Sequence, residues 1–146
     1  MIALACDHAG FELKQDIIAY FEKLGIECKD FGTYSADRCD YPIYAIPAAR
    51  AVASGECEKG VFICGTGVGM SIVSNKIAGV RAALCRDIFT AEMTRKHNDA
   101  NVLALGARVT ENALALDIVK TFFSTDFEGG QHTIRVNMLN ELDSAR

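Results

Sequence analysis

The stretch GVFICGTGVG, residues 60–69, decides how the chain folds. Its first half, Gly60 to Cys64, is a short apolar run of the kind that forms a buried strand. Its second half, Gly65 to Gly69, is a glycine loop, and Met70–Ala78 beyond it reads as a short helix. Working outward, Ile2–Cys6, Ile26–Asp30, Val80–Cys85 and Val102–Leu105 repeat the strand pattern. Between them Phe11–Leu24 carries Leu13, Ile17, Phe21 and Leu24 on one helical face, with Gly25 placed to cap its end. Ile43–Ser54, Ile88–His97 (capped by Asp87), Thr110–Phe123 and a last segment near Thr133–Leu142 read as further helices. Five strands each followed by a helix predict a three-layer α/β/α domain with a five-stranded parallel sheet, Rossmann-like, spanning residues 1–146 as one unit.

Composition narrows the function. The 146 residues carry a formal net charge of −4 with scattered lysines and arginines, which predicts no nucleic-acid partner because that needs a concentrated basic face. No apolar run reaches the ~18 residues of a membrane span, and no signal peptide is expected at MIALACDHAG. The six cysteines include no C-x-x-C pair, so reduced thiols in a cytoplasmic protein are the natural reading. His8, His97 and His132 lack metal-type spacing, so no metal is predicted.

In a parallel sheet the ligand crevice opens beyond the carboxyl ends of the strands. Asp7, His8, the residues from Cys64 to Gly69, and those around Arg86 and Arg108 are therefore expected on one rim. The glycine loop can aim backbone N–H groups at an anion. It is not a P-loop, since no Gly-Lys-Ser/Thr follows. It is a poor dinucleotide fingerprint, because Met70 stands where the third glycine belongs, although Asp87 lies at a plausible distance for a ribose contact. A tight turn with no ligand is the plain alternative. Cys64, taken alone, is either core filler or a reactive thiol favoured by the neighbouring helix N-terminus. His97 falls on an apolar stripe with Phe89 and Met93, the usual place of a core histidine, yet the polar Asn98-Asp99-Ala100-Asn101 follows it. Tyr41 serves either loop packing or a substrate hydroxyl, and Arg108 and Arg135 would ordinarily be surface charges.

Several segments together go further. CDHAGFELK, the Asp40-Tyr41-Pro42 turn, CGTGVGMSI, Asn75-Lys76, RKHNDANVLALGAR and FEGGQH…RV resemble the ribose-5-phosphate isomerase B family, which also includes subunits of galactose-6-phosphate isomerase. The resemblance covers essentially the whole chain. It implies a sugar-phosphate aldose–ketose isomerase that uses no cofactor and works as a homodimer with sites built from both subunits; association of dimers into a tetramer is left open. Carried over by position, Cys64 would shuttle a proton between C1 and C2 through a cis-enediol. Thr66 and the backbone of Gly65, Gly67 and Gly69 would stabilise the enediolate oxygen. His97, with Asp7 nearby, would open the furanose ring. Tyr41 and Asn98 would contact sugar hydroxyls, and His8, Arg108 and Arg135 would hold the phosphate. One departure stands out: Gln131 occupies the position after the Gly-Gly turn where the family carries arginine, so the phosphate clamp should be weaker or differently arranged.

Overall fold

A computed structural model describes residues 1–145. Strands β1 (Ile2–Cys6), β2 (Cys28–Asp30), β3 (Lys59–Cys64), β4 (Ala82–Leu84) and β5 (Val102–Gly106) form one parallel sheet in the order β2-β1-β3-β5-β4. The helices among the described residues are α1 (Phe11–Lys23), α2 (Tyr41–Ala53), α3 (Val68–Asn75), α4 (Ile88–Asn98), α5 (Asn112–Ser124) and α6 (Gln131–Asp143), and a 3-10 turn spans His8–Gly10.

Alternation along the central strands sets the layers. Val61 and Ile63 of β3 pack with Leu103 and Leu105 of β5 into a core shared with α1, α4 and α5. Phe62 and Cys64 point the other way, into a second core with Ala104 and the alanine-rich face of α2. Because both faces are covered, β1 and β5 are buried along their whole length. This explains why these strands read as continuous apolar runs rather than alternating ones.

The element boundaries differ from expectation where local chemistry intervenes. β2 starts at Cys28, not Ile26, because the Ile26 N–H donates to the Phe21 carbonyl and closes the end of α1. β4 is confined to Ala82–Leu84, since the Val80 N–H closes a turn onto Ile77. α2 begins at Tyr41 with Pro42 in its first turn, where a missing N–H costs nothing. Chain order reverses between β1, whose sequence neighbour lies on one side, and β3, which leads to the other. Asp7 after β1 and Cys64 at the end of β3 therefore flank a topological switch point.

Lys14 reaches the same region from below. Its side chain is fully buried, with Nζ 2.6 Å from Asp30 Oδ1 and 2.5 Å from the Thr33 carbonyl. This partly buried pair fixes the segment after β2, which runs on toward Tyr41.

Candidate active site

The rim is assembled by close backbone packing. The Asp7 N–H donates to the Ile63 carbonyl (3.1 Å), joining the turn after β1 to β3. Asp7 Oδ1 in turn accepts from the N–H groups of Ala9 (3.0 Å) and Gly10 (3.3 Å), holding the carboxylate of a residue that is 8% exposed. A Cβ at Gly10 would lie 2.7 Å from the Ile63 side chain, so only glycine lets this turn sit so close to β3. His8 accepts the Cys39 N–H at Nδ1 (3.2 Å). Neutral His8 must then carry its proton on Nε2, a donor suited to an anionic oxygen.

Cys64 ends β3 opposite Gly106 and is 5% exposed. The Gly67 N–H donates to its sulfur at 3.2 Å. Thr66 is exposed beside it, and Thr66 Oγ1 accepts from the Val68 N–H (3.3 Å), so the hydroxyl keeps its own proton to donate. The amides of Gly67 and Val68 are thus engaged inside the loop. This narrows the expected role of the loop backbone and shifts weight to the Thr66 hydroxyl.

Two side chains lean over the loop. The Tyr41 ring lies on Gly69, where a Cβ would fall 2.5 Å from Cζ, so the phenol is held beside the start of α3. The Arg108 side chain covers Gly65, its Cδ and one terminal guanidinium nitrogen 3.4 Å from where a Cβ would stand. The turn that presents it is fixed by the N–H groups of Ala107 and Arg108, which donate to the carbonyls of Cys64 and Gly65 (2.9 Å each). One carboxylate, one thiol, one imidazole, one hydroxyl, one phenol and one guanidinium therefore share the carboxyl rim.

The remaining predicted residues gather elsewhere. α4 runs back from the carboxyl rim, so His97 and Asn98 at its end lie by the amino ends of the strands. The separation from Cys64 exceeds the length of β5, about 13 Å for four residue steps. It also crosses the sheet, because α4 packs on the face opposite the Cys64 side chain. One chain therefore does not bring His97 to Asp7 or to Cys64. Gln131 and Arg135, both exposed near the start of α6, accompany His97 at this lower edge. A cleft of about 370 Å³ opens there between α6 and β4, with Arg81 and Asn98 among its walls.

His132 is a residue to which the sequence reading gave no role. Its ring stacks on that of His97 with centroids 4.3 Å apart and planes inclined by 17°. Its Nε2 is 3.6 Å from Glu128 Oε2, an i,i+4 relation visible in the sequence only once the turn at Gly129-Gly130 is known to continue into helix. The possible ligand atoms of His97, Glu128 and His132 lie within 4.8 Å of one another. Imidazole lone pairs lie in the ring plane, however, and two nearly parallel planes meet far beyond the ~2.1 Å of a metal–nitrogen bond. As placed, the cluster is a stacked histidine pair rather than a metal centre.

The fold and rim define a Rossmann-like α/β domain whose carboxyl rim gathers acidic, basic and hydrogen-bonding side chains. More narrowly, the chain belongs to the Ribose/Galactose Isomerase family, whose model matches residues 2–139. Ribose-5-phosphate isomerase B of Escherichia coli is 48% identical over 145 residues, 99% of this chain and 97% of that protein. Among solved structures, ribose-5-phosphate isomerase B of Clostridium thermocellum superposes with a TM-score of 0.96 at 47% identity, covering 99% of this chain and 97% of that one. A ribose 5-phosphate isomerase of Thermotoga maritima gives 0.92 at 46% identity, with 96% and 97% covered. No helix among the described residues is long and apolar enough to cross a membrane.

Proposed function

We propose that this chain interconverts ribose 5-phosphate and ribulose 5-phosphate through a cis-enediol, with Cys64 as the base, no cofactor, and residues 1–146 acting as one catalytic domain. The observation that carries the reading is the Cys64 thiol at the switch point, with the Gly67 N–H aimed at its sulfur. An N–H so placed suits a thiolate, which accepts far better than a thiol.

Histidine is suited to ring opening, which moves a proton between the ring oxygen and the anomeric hydroxyl; His97 takes that task. The Cys64 thiolate then removes the C2 proton of the open aldose. The electron pair of that C–H bond forms the C1–C2 double bond, and the carbonyl pair settles on O1. The thiol returns the proton to C1, which takes up the double-bond pair, while O2 passes its own proton to O1 and becomes the ketone oxygen. The Thr66 hydroxyl and the loop dipoles stabilise the charge on oxygen; removing one such donor costs about 3–4 kcal/mol of barrier in other enzymes. Tyr41 and Asn98 take sugar hydroxyls, and His8, Arg108 and Arg135 take the phosphate.

Cys64 and His97 can meet one substrate only if they come from different chains, so the proposed working unit is a homodimer with two shared sites. The outer face of α6 supports this: Ile134, Met138 and Leu142, at i, i+4 and i+8, are 60–65% exposed, and only Val136 of that helix is buried. Such a stripe calls for a partner.

A second reading, isomerisation of a six-carbon sugar phosphate such as allose 6-phosphate or galactose 6-phosphate, is favoured by Gln131 in the clamp. Ketose formation from these three aldose phosphates tests both, with ribose 5-phosphate expected to give the highest kcat/KM. Binding of the sugar phosphates without any ketose product would make the chain a binding module instead.

A further inference from the structure

We propose that His132, anchored by Glu128, is a positioning residue that fixes the ring plane of His97 for ring opening. The proposal rests on His97 as the ring-opening residue and adds the device that aims it.

His97 sits in the last turn of α4 and is only half-buried, so its own helix does little to restrain rotation of the ring. A proton carrier must nevertheless present one nitrogen to two oxygens of the sugar in turn, and that requires a fixed plane. The restraint comes from the segment joining α5 to α6. The Glu128 N–H donates to the Lys96 carbonyl at 3.2 Å, which ties this segment to the last turn of α4 beside His97. The His132 N–H closes onto the Gly129 carbonyl at 3.1 Å, and both glycines of the turn have positive φ, 67° and 60°, which glycine adopts readily. The result is a His132 ring 12% exposed, lying flat on His97, with the Glu128 carboxylate at its Nε2.

The turn of α4 beneath is equally constrained. Arg95 donates to the Ala100 carbonyl (2.5 Å) and to Asp99 Oδ1 (2.8 Å), and Arg81 donates to the Asp99 and Asn98 carbonyls. The backbone that carries His97 is thus fixed from below and its ring from above. Stacking blocks one face of the imidazole and leaves its edge to the substrate. The Glu128 carboxylate, 3.6 Å from His132 Nε2, helps hold that ring in its stacked position.

The test separates ring opening from enediol chemistry. Ribose 5-phosphate starts as a furanose, whereas ribulose 5-phosphate cannot close a five-membered ring because its O5 is esterified. Turnover of ribose 5-phosphate therefore needs both steps, and solvent deuterium exchange at C1 of ribulose 5-phosphate needs only the second. His132→Ala is expected to lower turnover from ribose 5-phosphate by about ten- to a hundredfold, the scale of a misplaced catalytic group, with the exchange rate little changed. His132→Phe keeps a flat ring over His97 and should restore most of the loss. Glu128→Gln, at an exposed position, should show the same split at smaller amplitude, and it decides the matter if His132→Ala fails to fold. Equal losses in both assays, or none in either, would overturn the proposal. His97→Asn run alongside keeps the two ideas apart. If His97→Asn shows no split, the ring-opening role itself is wrong. If it does and the His132 and Glu128 variants do not, only the positioning role falls.

Discussion

The amide of Gly67 donates to the sulfur of Cys64 across 3.2 Å, and it does so from a left-handed backbone, φ 81°. A Cβ at this position would stand 2.5 Å from Leu84 Cδ1 and 2.9 Å from the Leu105 carbonyl carbon. Glycine here therefore serves two ends at once: it lets the loop turn against β5, and it points an N–H back at the thiol.

Gly67→Ala should accordingly harm both stability and activity. The positive φ alone costs about 1–2 kcal/mol, and the contacts with Leu84 and Leu105 add to it. Gly25→Ala is the control, because Gly25 has φ 67° but nothing within 4 Å of its would-be Cβ. Urea denaturation of the two variants compares them directly. Equal losses would mean that packing against β5 contributes nothing.

Cys64→Ala should reduce isomerisation by about 10²- to 10⁴-fold, the usual contribution of a positioned base, with the melting temperature nearly unchanged. Iodoacetamide near neutral pH should inactivate the native protein by alkylating Cys64, and substrate should protect it. Burial pushes the thiols of Cys6 and Cys28 up to about 11 and that of Cys85 up to about 12, so these remain protonated and slow to react. Mass spectrometry placing the inactivating adduct on Cys39 would remove Cys64 from its role.

The same buried thiols predict an alkaline limit. Between the ordinary thiol value of 9.0 and about 11–12, folded Cys6 and Cys85 hold protons that the unfolded chain has released. Stability is then unaffected by them below pH 9, falls as pH rises through this window, and reaches its full loss above about 12. Each group contributes at most about 1.4 kcal/mol per pH unit. Cys85→Ala should make the decline in melting temperature between pH 9 and 11 shallower, and an unchanged slope would show that Cys85 does not drive it.

The opposite placement of Cys64 and His97 makes complementation the sharpest check on the shared site. In a mixed dimer of Cys64→Ala and His97→Asn chains, one site regains both groups and the other loses both. Random 1:1 exchange makes about half of the dimers mixed, so roughly a quarter of all sites recover, given a two-fold dimer. Activity that stays at the single-mutant level after verified subunit exchange would place both residues in one chain's site or leave His97 without a catalytic part.

Much of this was legible in the residues themselves. The apolar runs at Ile2–Cys6 and Gly60–Cys64 are continuous because both faces of the sheet are buried, so strand identity followed from the apolar pattern and parallel pairing from the alternation of strands with helices. The rim followed too, since connectivity forces Asp7, Cys64 and Arg108 to the carboxyl ends of neighbouring strands. These are local properties or consequences of chain order, and sequence carries them directly.

Tertiary structure alone decided the rest. No spacing rule places Tyr41 on Gly69, because roughly 90 Å of extended chain can return in many ways and only packing of α2 on α3 selects one. Nor does sequence pair His97 with His132, thirty-five positions apart, since their contact depends on how the segment after α5 folds onto α4. The same holds for the distribution of the predicted site over two edges of the sheet. A list of residue types says which chemistry is available, while the direction in which α4 runs decides that one chain cannot bring all of it together.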